Sequence, residues 1–166
     1  MPMDSMQKLY LEELRDIYSA EQQLVDALPK MAEKASHDEL RTAFEQHLSQ
    51  TQEHVRRLET IFDNLGEKPT GKECKGMKGL IEEGEDILKE DGDPDVKDAA
   101  MIAAAQRVEH YEIAAYGTVR TYADQLGLND HAQLLQRTLD EEGNTDKRLN
   151  QLAMRKVNRD ALFGRE

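Results

Sequence analysis

The sequence predicts an all-α protein: an antiparallel bundle of four long helices, with a crossover carrying a short extra helix between the second and the third. Three observations predict it. Apolar residues recur at steps of three and four through four long stretches, the period of a helix with one buried face. Turn and capping residues such as Gly66, Asp93-Pro94 and Gly127 separate those stretches. Aromatic residues make up only 5% of the chain, which leaves little material for a β-sheet. No break in composition divides the 166 residues, so 1–166 reads as a single domain, long enough to bury a substantial core.

Ser5 or Asp4 caps a first helix running to about Ala35, whose buried stripe passes through Tyr10, Leu14, Ile17, Leu24 and Leu28. Pro29 is expected to kink or loosen its last turns, because it removes one backbone donor and crowds the preceding turn. Ser36-His37-Asp38 breaks the chain and offers caps for a second helix from about Glu39 to Leu65, stopped by Gly66. Its stripe reads Leu40, Phe44, His47, Thr51, His54, Leu58 and Phe62. Residues 67–93 form the crossover, a Gly- and Pro-containing loop followed by a small helix through Met77, Leu80, Ile81 and Leu88. Asp93 caps a third long helix with Pro94 at its first position, and Gly127 ends it after Leu126. That stripe holds Ile102, Ala105, Glu109, Glu112, Tyr116, Val119, Ala123 and Leu126. Asn129 or Asp130 caps the fourth, which runs through Leu135, Thr138, Glu142, Thr145, Leu149 and Leu152 before the pattern decays into a polar tail from Asn158 to Glu166.

Each stripe is interrupted near its middle: by Glu21, by Thr51 and His54, by Glu109 and Glu112, and by Glu142 and Thr145. Glu109 and Glu112 stand three residues apart, hence on one helix face. Carboxylates buried together repel and lose their hydration, so an uncompensated group of Glu21, Glu109, Glu112 and Glu142 would be costly. Two divalent cations would balance the four carboxylates, and His54 would complete a mixed oxygen and nitrogen ligand set suited to iron or manganese. Asp146 and Gln50 are further candidates, because each is one residue from a polar stripe position. His47 reads as a packed histidine or one that holds a ligand in place. Tyr18, Tyr111 and Tyr116 flank the acids and are expected to hydrogen-bond them, whereas His110 lies about 100° round the helix from Glu109.

A formal net charge of −12 argues against nucleic acid or an anionic membrane as a partner. With no apolar run of about eighteen residues and no signal-peptide core, the expected location is cytoplasmic. The single cysteine, Cys74, excludes an internal disulfide and has no neighbouring histidine to activate it. The acidic run Glu82-Glu83-Gly84-Glu85-Asp86 reads as solvated surface.

The segment Glu109-His110-Tyr111-Glu112 resembles the corresponding helix of rubrerythrins, and Tyr18-Ser19-Ala20-Glu21-Gln22 is similar to their first ligand helix. More closely, the chain resembles the YciF-type bacterial stress proteins, through Tyr18 to Glu21, Gly79-Leu80-Ile81-Glu82-Glu83, Ile102 to Gln106, Val108 to Ile113, and Glu141-Glu142. The resemblance implies a ferritin-like four-helix fold, a homodimer and a di-metal centre. Ferritin-like bundles take one Glu from each of two helices and a Glu-x-x-His from each of the other two. Against that pattern, Thr51 stands where a Glu is expected and Thr145 where a His is expected.

Three functions stand as alternatives. A di-metal centre of iron or manganese would react with peroxide or dioxygen, drawing electrons from a separate donor protein because the chain lacks rubredoxin-like cysteine pairs. A metal-binding module would store or sequester metal without turnover. A metal-free scaffold would act through dimerisation alone.

Overall fold

In a computed structural model that describes residues 2–165, four long helices and one short crossover helix account for most of the chain, and no strand occurs among the described residues. Helix α1 spans Met6–Lys34, α2 Asp38–Leu65, α3 Lys75–Lys89, α4 Pro94–Gln125 and α5 Asn129–Leu152. The caps fall where the side-chain chemistry requires. Ser5 accepts from the Lys8 amide, Asp93 accepts from the Asp95 and Val96 amides, and Gly66 closes α2 in the left-handed conformation at φ 65°. Pro29 leaves α1 continuous. It lies on the exposed face, where solvent can take up the carbonyl it leaves without a donor.

Pairs between helices fix the topology. Ser36 meets Asp98 and Glu21 meets Tyr116, so α1 and α4 run antiparallel; Arg155 meets Glu39 and Arg57 meets Glu141, so the α5 segment runs antiparallel to α2. The crossover therefore travels the length of the bundle. It leaves the end where Arg15 donates to the Lys68 carbonyl at 3.0 Å and arrives where Lys97 donates to the Leu88 carbonyl at 3.1 Å. Helix α3 lies along α1 and α4 with Met77 fully buried. Cys74 caps it, accepting from the Met77 amide, while its own amide donates to Ser19 Oγ at 2.9 Å. Gly76 is required beside it, because a Cβ there would come within 2.7 Å of the Tyr111 ring.

The core is in two parts. One apolar cluster gathers Leu24, Leu28, Leu40, Phe44, Met101 and Leu149 towards one end of the bundle. The other gathers Tyr10, Leu14, Leu58, Phe62, Val119 and Leu135 towards the opposite end. Between them the four stripes carry their polar residues, all buried except the half-buried Thr145.

Of the polar tail expected from Asn158 to Glu166, the stretch Asn158–Phe163 is instead helix. After α5 the backbone passes through a π-helical turn, Ala153–Val157, into α6, Asn158–Phe163. Two observations account for it. Val157 is fully buried in the first cluster, and the extra residue of a π turn shifts the register of the helix beyond it. Asp160 then reaches His37 Nε2 at 2.8 Å, and Arg165 pairs with Asp95. His37 Nδ1 lies 2.5 Å from Asp98, which also accepts from the backbone amides of Ser36 and His37. A carboxylate two residues from solvent-facing Val96 thus joins the α1–α2 turn, α4 and α6.

Asp98→Ala is expected to destabilise the fold by about 3–5 kcal/mol, since it leaves Nδ1 of the buried His37 and two backbone amides without their partner. Chemical denaturation measures the loss, and a value near zero would show that the clasp contributes nothing.

Candidate metal centre

Each long helix brings polar side chains to the layer between the two apolar clusters. Helix α1 supplies Glu21, α2 supplies His47 and His54, α4 supplies Glu109 and Glu112, and α5 supplies Glu142. None of the six is more than 3% exposed. Their donor atoms form two groups, Glu21, His54, Glu112 and Glu142 in one and His47, Glu109 and Glu142 in the other, with the atoms of each group within 4.8 Å of one another. Glu142 belongs to both.

Most of these atoms have no hydrogen-bond partner. His54 Nδ1 lies 2.9 Å from Glu142 Oε1 and 3.2 Å from Glu21 Oε1, yet it is aligned for a hydrogen bond with neither. Both nitrogens of His47, both oxygens of Glu109, Glu112 and Glu142, and Glu21 Oε2 are likewise unpartnered. Leaving a buried polar atom unpaired costs about 1–3 kcal/mol, more if it is charged, so a cluster of this size is not accounted for by packing alone. The residues fit a group of cations: buried, convergent and composed of oxygen and imidazole donors.

Surrounding residues hold the donors in place. Tyr116 donates to Glu21 Oε1 at 2.6 Å, and Glu141 holds His54 Nε2 at 2.8 Å, leaving Nδ1 turned towards the acids. Arg57 in turn grips both oxygens of Glu141, at 2.7 and 2.9 Å, and donates to Thr138 at 3.0 Å. This fork–fork geometry locks Glu141, and through it the His54 ring, against rotation.

The titration behaviour comes from the same arrangement. Burial, together with the charges of Glu21 and Glu142, pushes Glu112 well above the carboxylate range; burial and Glu109 do the same to Glu142. Burial raises Glu109 to about 7. Glu21 moves the other way: burial opposes its ionisation, but His54, Glu112 and Tyr116 outweigh it. His54 is raised to about 11, because the carboxylates of Glu141, Glu142 and Glu21 overcome the burial that would lower it, and burial lowers His47. Without cations the layer thus favours an ionised Glu21 beside His54 and protons on Glu112 and Glu142, with Glu109 shifted in the same direction.

Of the residues the sequence singles out, Glu21, His54, Glu109, Glu112 and Glu142 converge. Asp146 does not join them. It lies 3.2 Å from His110 Nε2 and accepts from Gln106 at 3.3 Å, on the flank between α4 and α5. Gln50 accepts from Thr145 at 3.2 Å, and Thr51 donates to the His47 carbonyl at 2.8 Å, so neither is aimed at the groups. Tyr116 meets a carboxylate of the layer as expected, whereas Tyr18 pairs with Glu59 and Tyr111 with Asp16 and Cys74. Two residues have parts in the layer beyond those expected from the sequence, where His47 reads as packed or holding a ligand rather than as a donor. His47 contributes the second imidazole, 3.0 Å from Glu109 Oε1, and its signal is its spacing of seven residues from His54 on the same stripe. Glu141 lies beside the stripe and has no signal of its own.

Comparison with known proteins identifies the family and the fold. Protein YciF of Escherichia coli strain K12 is 43% identical over 162 residues, covering 97% of this chain and 98% of that protein. The crystal structure of that stress protein superposes with a TM-score of 0.90 at 43% identity, covering 94% of this chain and 99% of that one. The fold is ferritin-like: a diiron-carboxylate protein of that class from Bacillus anthracis strain Ames has a TM-score of 0.71 over 90% of this chain and 99% of its own, and at 21% identity the likeness is one of fold. Residues 5–162 match the family described as a domain of unknown function, DUF892. Matched over nearly its whole length, this chain belongs to the DUF892 family.

Proposed function

We propose that the protein is a di-metal carboxylate protein that holds two iron or manganese ions and reacts with peroxide or dioxygen in a bacterial stress response. The observation that carries this reading is the set of buried, convergent and unpartnered oxygen and nitrogen atoms on four helices. The kinship with an Escherichia coli stress protein and the fold shared with a diiron-carboxylate protein support it. Glu21, His54, Glu112 and Glu142 would hold one ion, and His47, Glu109 and Glu142 the other. When bound, the pair supplies one electron from each ion, the two-electron chemistry that peroxide requires.

The chain's own residues do the rest. Its two apolar clusters keep bulk water from the layer, and Tyr116 and Glu141 orient Glu21 and His54. The protons held on Glu109, Glu112 and Glu142 leave when cations enter, so loading is coupled to proton release. A separate protein would donate electrons, since Cys74 is the only cysteine. A second reading, metal binding without turnover, draws support from the near-complete burial of all six donors.

Protein purified without an affinity tag and loaded anaerobically with ferrous iron or manganese is expected to retain both ions per chain and to change its spectrum on peroxide addition. Retention without a spectral change favours the second reading, and no retention sinks both. Combined Glu109→Gln and Glu112→Gln should reduce the bound metal to trace levels while the helical circular dichroism persists.

Glu141→Gln removes the charge that holds His54. The expected result is a loss of about 10–100-fold in metal affinity, read by competition with a chelator, with the metal-free melting temperature changed little. An unchanged affinity would remove Glu141 from the assembly.

The raised acids also predict a pH dependence. A carboxyl raised from 4.5 to about 7, as Glu109 is, stabilises the fold below its ordinary value and loses that contribution as pH climbs through 7. Glu112 and Glu142 act with the same sign. The metal-free melting temperature should therefore fall between pH 5 and pH 7.5, roughly, while the rise produced by manganese should grow over the same interval. Combined Glu109→Gln, Glu112→Gln and Glu142→Gln should flatten both slopes; steep slopes in that variant would place their origin elsewhere.

A further inference from the structure

The two donor groups are unequal. The Glu21 group has four side chains and the His47 group three, with Glu142 common to both. First-row divalent ions take four to six ligands, so an ion at the His47 group depends more on ligands from outside the protein. A cleft in the surface approaches that group, although its donor atoms are themselves inaccessible. A cleft between α2 and α5, of about 100 Å³, has His47 among its lining residues together with Gln46, Gln50, Asn144, Thr145 and Arg148. By contrast, the cleft between α1 and α2 is lined by Gln22, Val25, Asp26, Gln52, Val55 and Arg56, none of them a donor of either group.

The walls of the cleft mix polar side chains with the apolar Ala43 and Leu149, and two polar pairs cross it. Thr145 donates to Gln50 at 3.2 Å, and Arg148 donates to Gln46. These pairs bridge α2 and α5, and Thr145 stands where a larger imidazole would project from α5. The size is informative. About 100 Å³ corresponds to roughly three water molecules, and is smaller than the roughly 150 Å³ cavity that admits benzene. That volume is enough for hydrogen peroxide or dioxygen. Arg148 adds a positive charge to the rim, favouring small anions over further metal cations.

We propose that the α2–α5 cleft is the port by which small oxidants of the hydrogen peroxide class reach the His47 end of the centre, with Thr145 and Gln50 setting its bore. The proposal rests on the di-metal reading. The short Thr145 side chain, rather than being a loss, leaves the opening through which the substrate enters, and the second imidazole comes from α2, where it does not obstruct that opening.

Cobalt(II), a spectroscopic stand-in for the native ion, and azide, a small linear anion, test this without relying on turnover. Azide binding to the cobalt-loaded protein is followed by stopped-flow absorption for the wild type, Thr145→Leu, Gln50→Leu and Thr145→Ala, with Val25→Leu in the other cleft as a control. The expected result is an association rate reduced at least about tenfold in Thr145→Leu and Gln50→Leu, raised in Thr145→Ala, and unchanged in Val25→Leu, with full cobalt occupancy throughout. Equal rates in the three cleft variants, each fully loaded, would overturn the port and leave the metal centre standing. Failure of the wild type to bind cobalt would overturn the centre itself, and the port with it. Thr145→Ala removes only a small side chain, so it decides the matter even if the leucine variants do not fold.

Discussion

A layer of buried acids divides the core of this protein, and the rest of the structure is arranged around it. A four-helix bundle would ordinarily bury a continuous apolar seam. Here two apolar clusters are separated by Glu21, His47, His54, Glu109, Glu112 and Glu142, all nearly inaccessible to water. The stability of the bundle must come from those clusters, since the layer opposes folding unless its charge is managed. Without cations, the protein manages it by retaining protons on some acids and placing His54 against others. With cations, the same donors would find partners directly.

The bundle ends and the crossover serve this layer by fixing the relative height of the helices. Asp98 ties the α1–α2 turn to α4, and His37 passes the connection on to Asp160 in α6. On the other side Arg57 ties α2 to α5 through Glu141. A slip of α2 by one turn would move His47 and His54 about 5 Å along the axis and separate them from both acid groups. The ionic contacts outside the layer thus set the register on which convergence inside it depends.

The helices are legible in the sequence because their period, caps and breakers are local. Gly66, Asp93-Pro94 and Gly127 mark ends that the structure places within a residue or two. The C-terminal segment is less legible. Its order rests on partners distant in sequence, His37 and Asp95, and on a π turn that no periodic pattern announces. Five of the expected donors are legible for a general reason: a Glu or His in an apolar stripe is conspicuous. Asp146 misleads because adjacency in sequence is not adjacency on a helix, and about 100° of rotation carries it to His110 on the flank. His47 is easily underestimated because a lone buried histidine usually packs or hydrogen-bonds, and only the three-dimensional position of Glu109 separates those outcomes.

Taking both imidazoles from α2 gives the layer a direction that a symmetric pattern of ligands lacks. His54 is pinned by Glu141 and Arg57, and its group is completed by Glu21, itself held by Tyr116. His47 has no comparable anchor: neither of its ring nitrogens has a hydrogen-bond partner. One end of the layer is therefore pre-organised and the other is held mainly by packing. Because Glu142 belongs to both groups, any change at the looser end is felt at the firmer one through a shared carboxylate. If the layer holds two cations, that combination would retain one firmly and leave the other to exchange ligands, rather than hold two equivalent ions. The Thr145 and Gln50 side chains, hydrogen-bonded to each other beside His47, stand on the side where that exchange would occur.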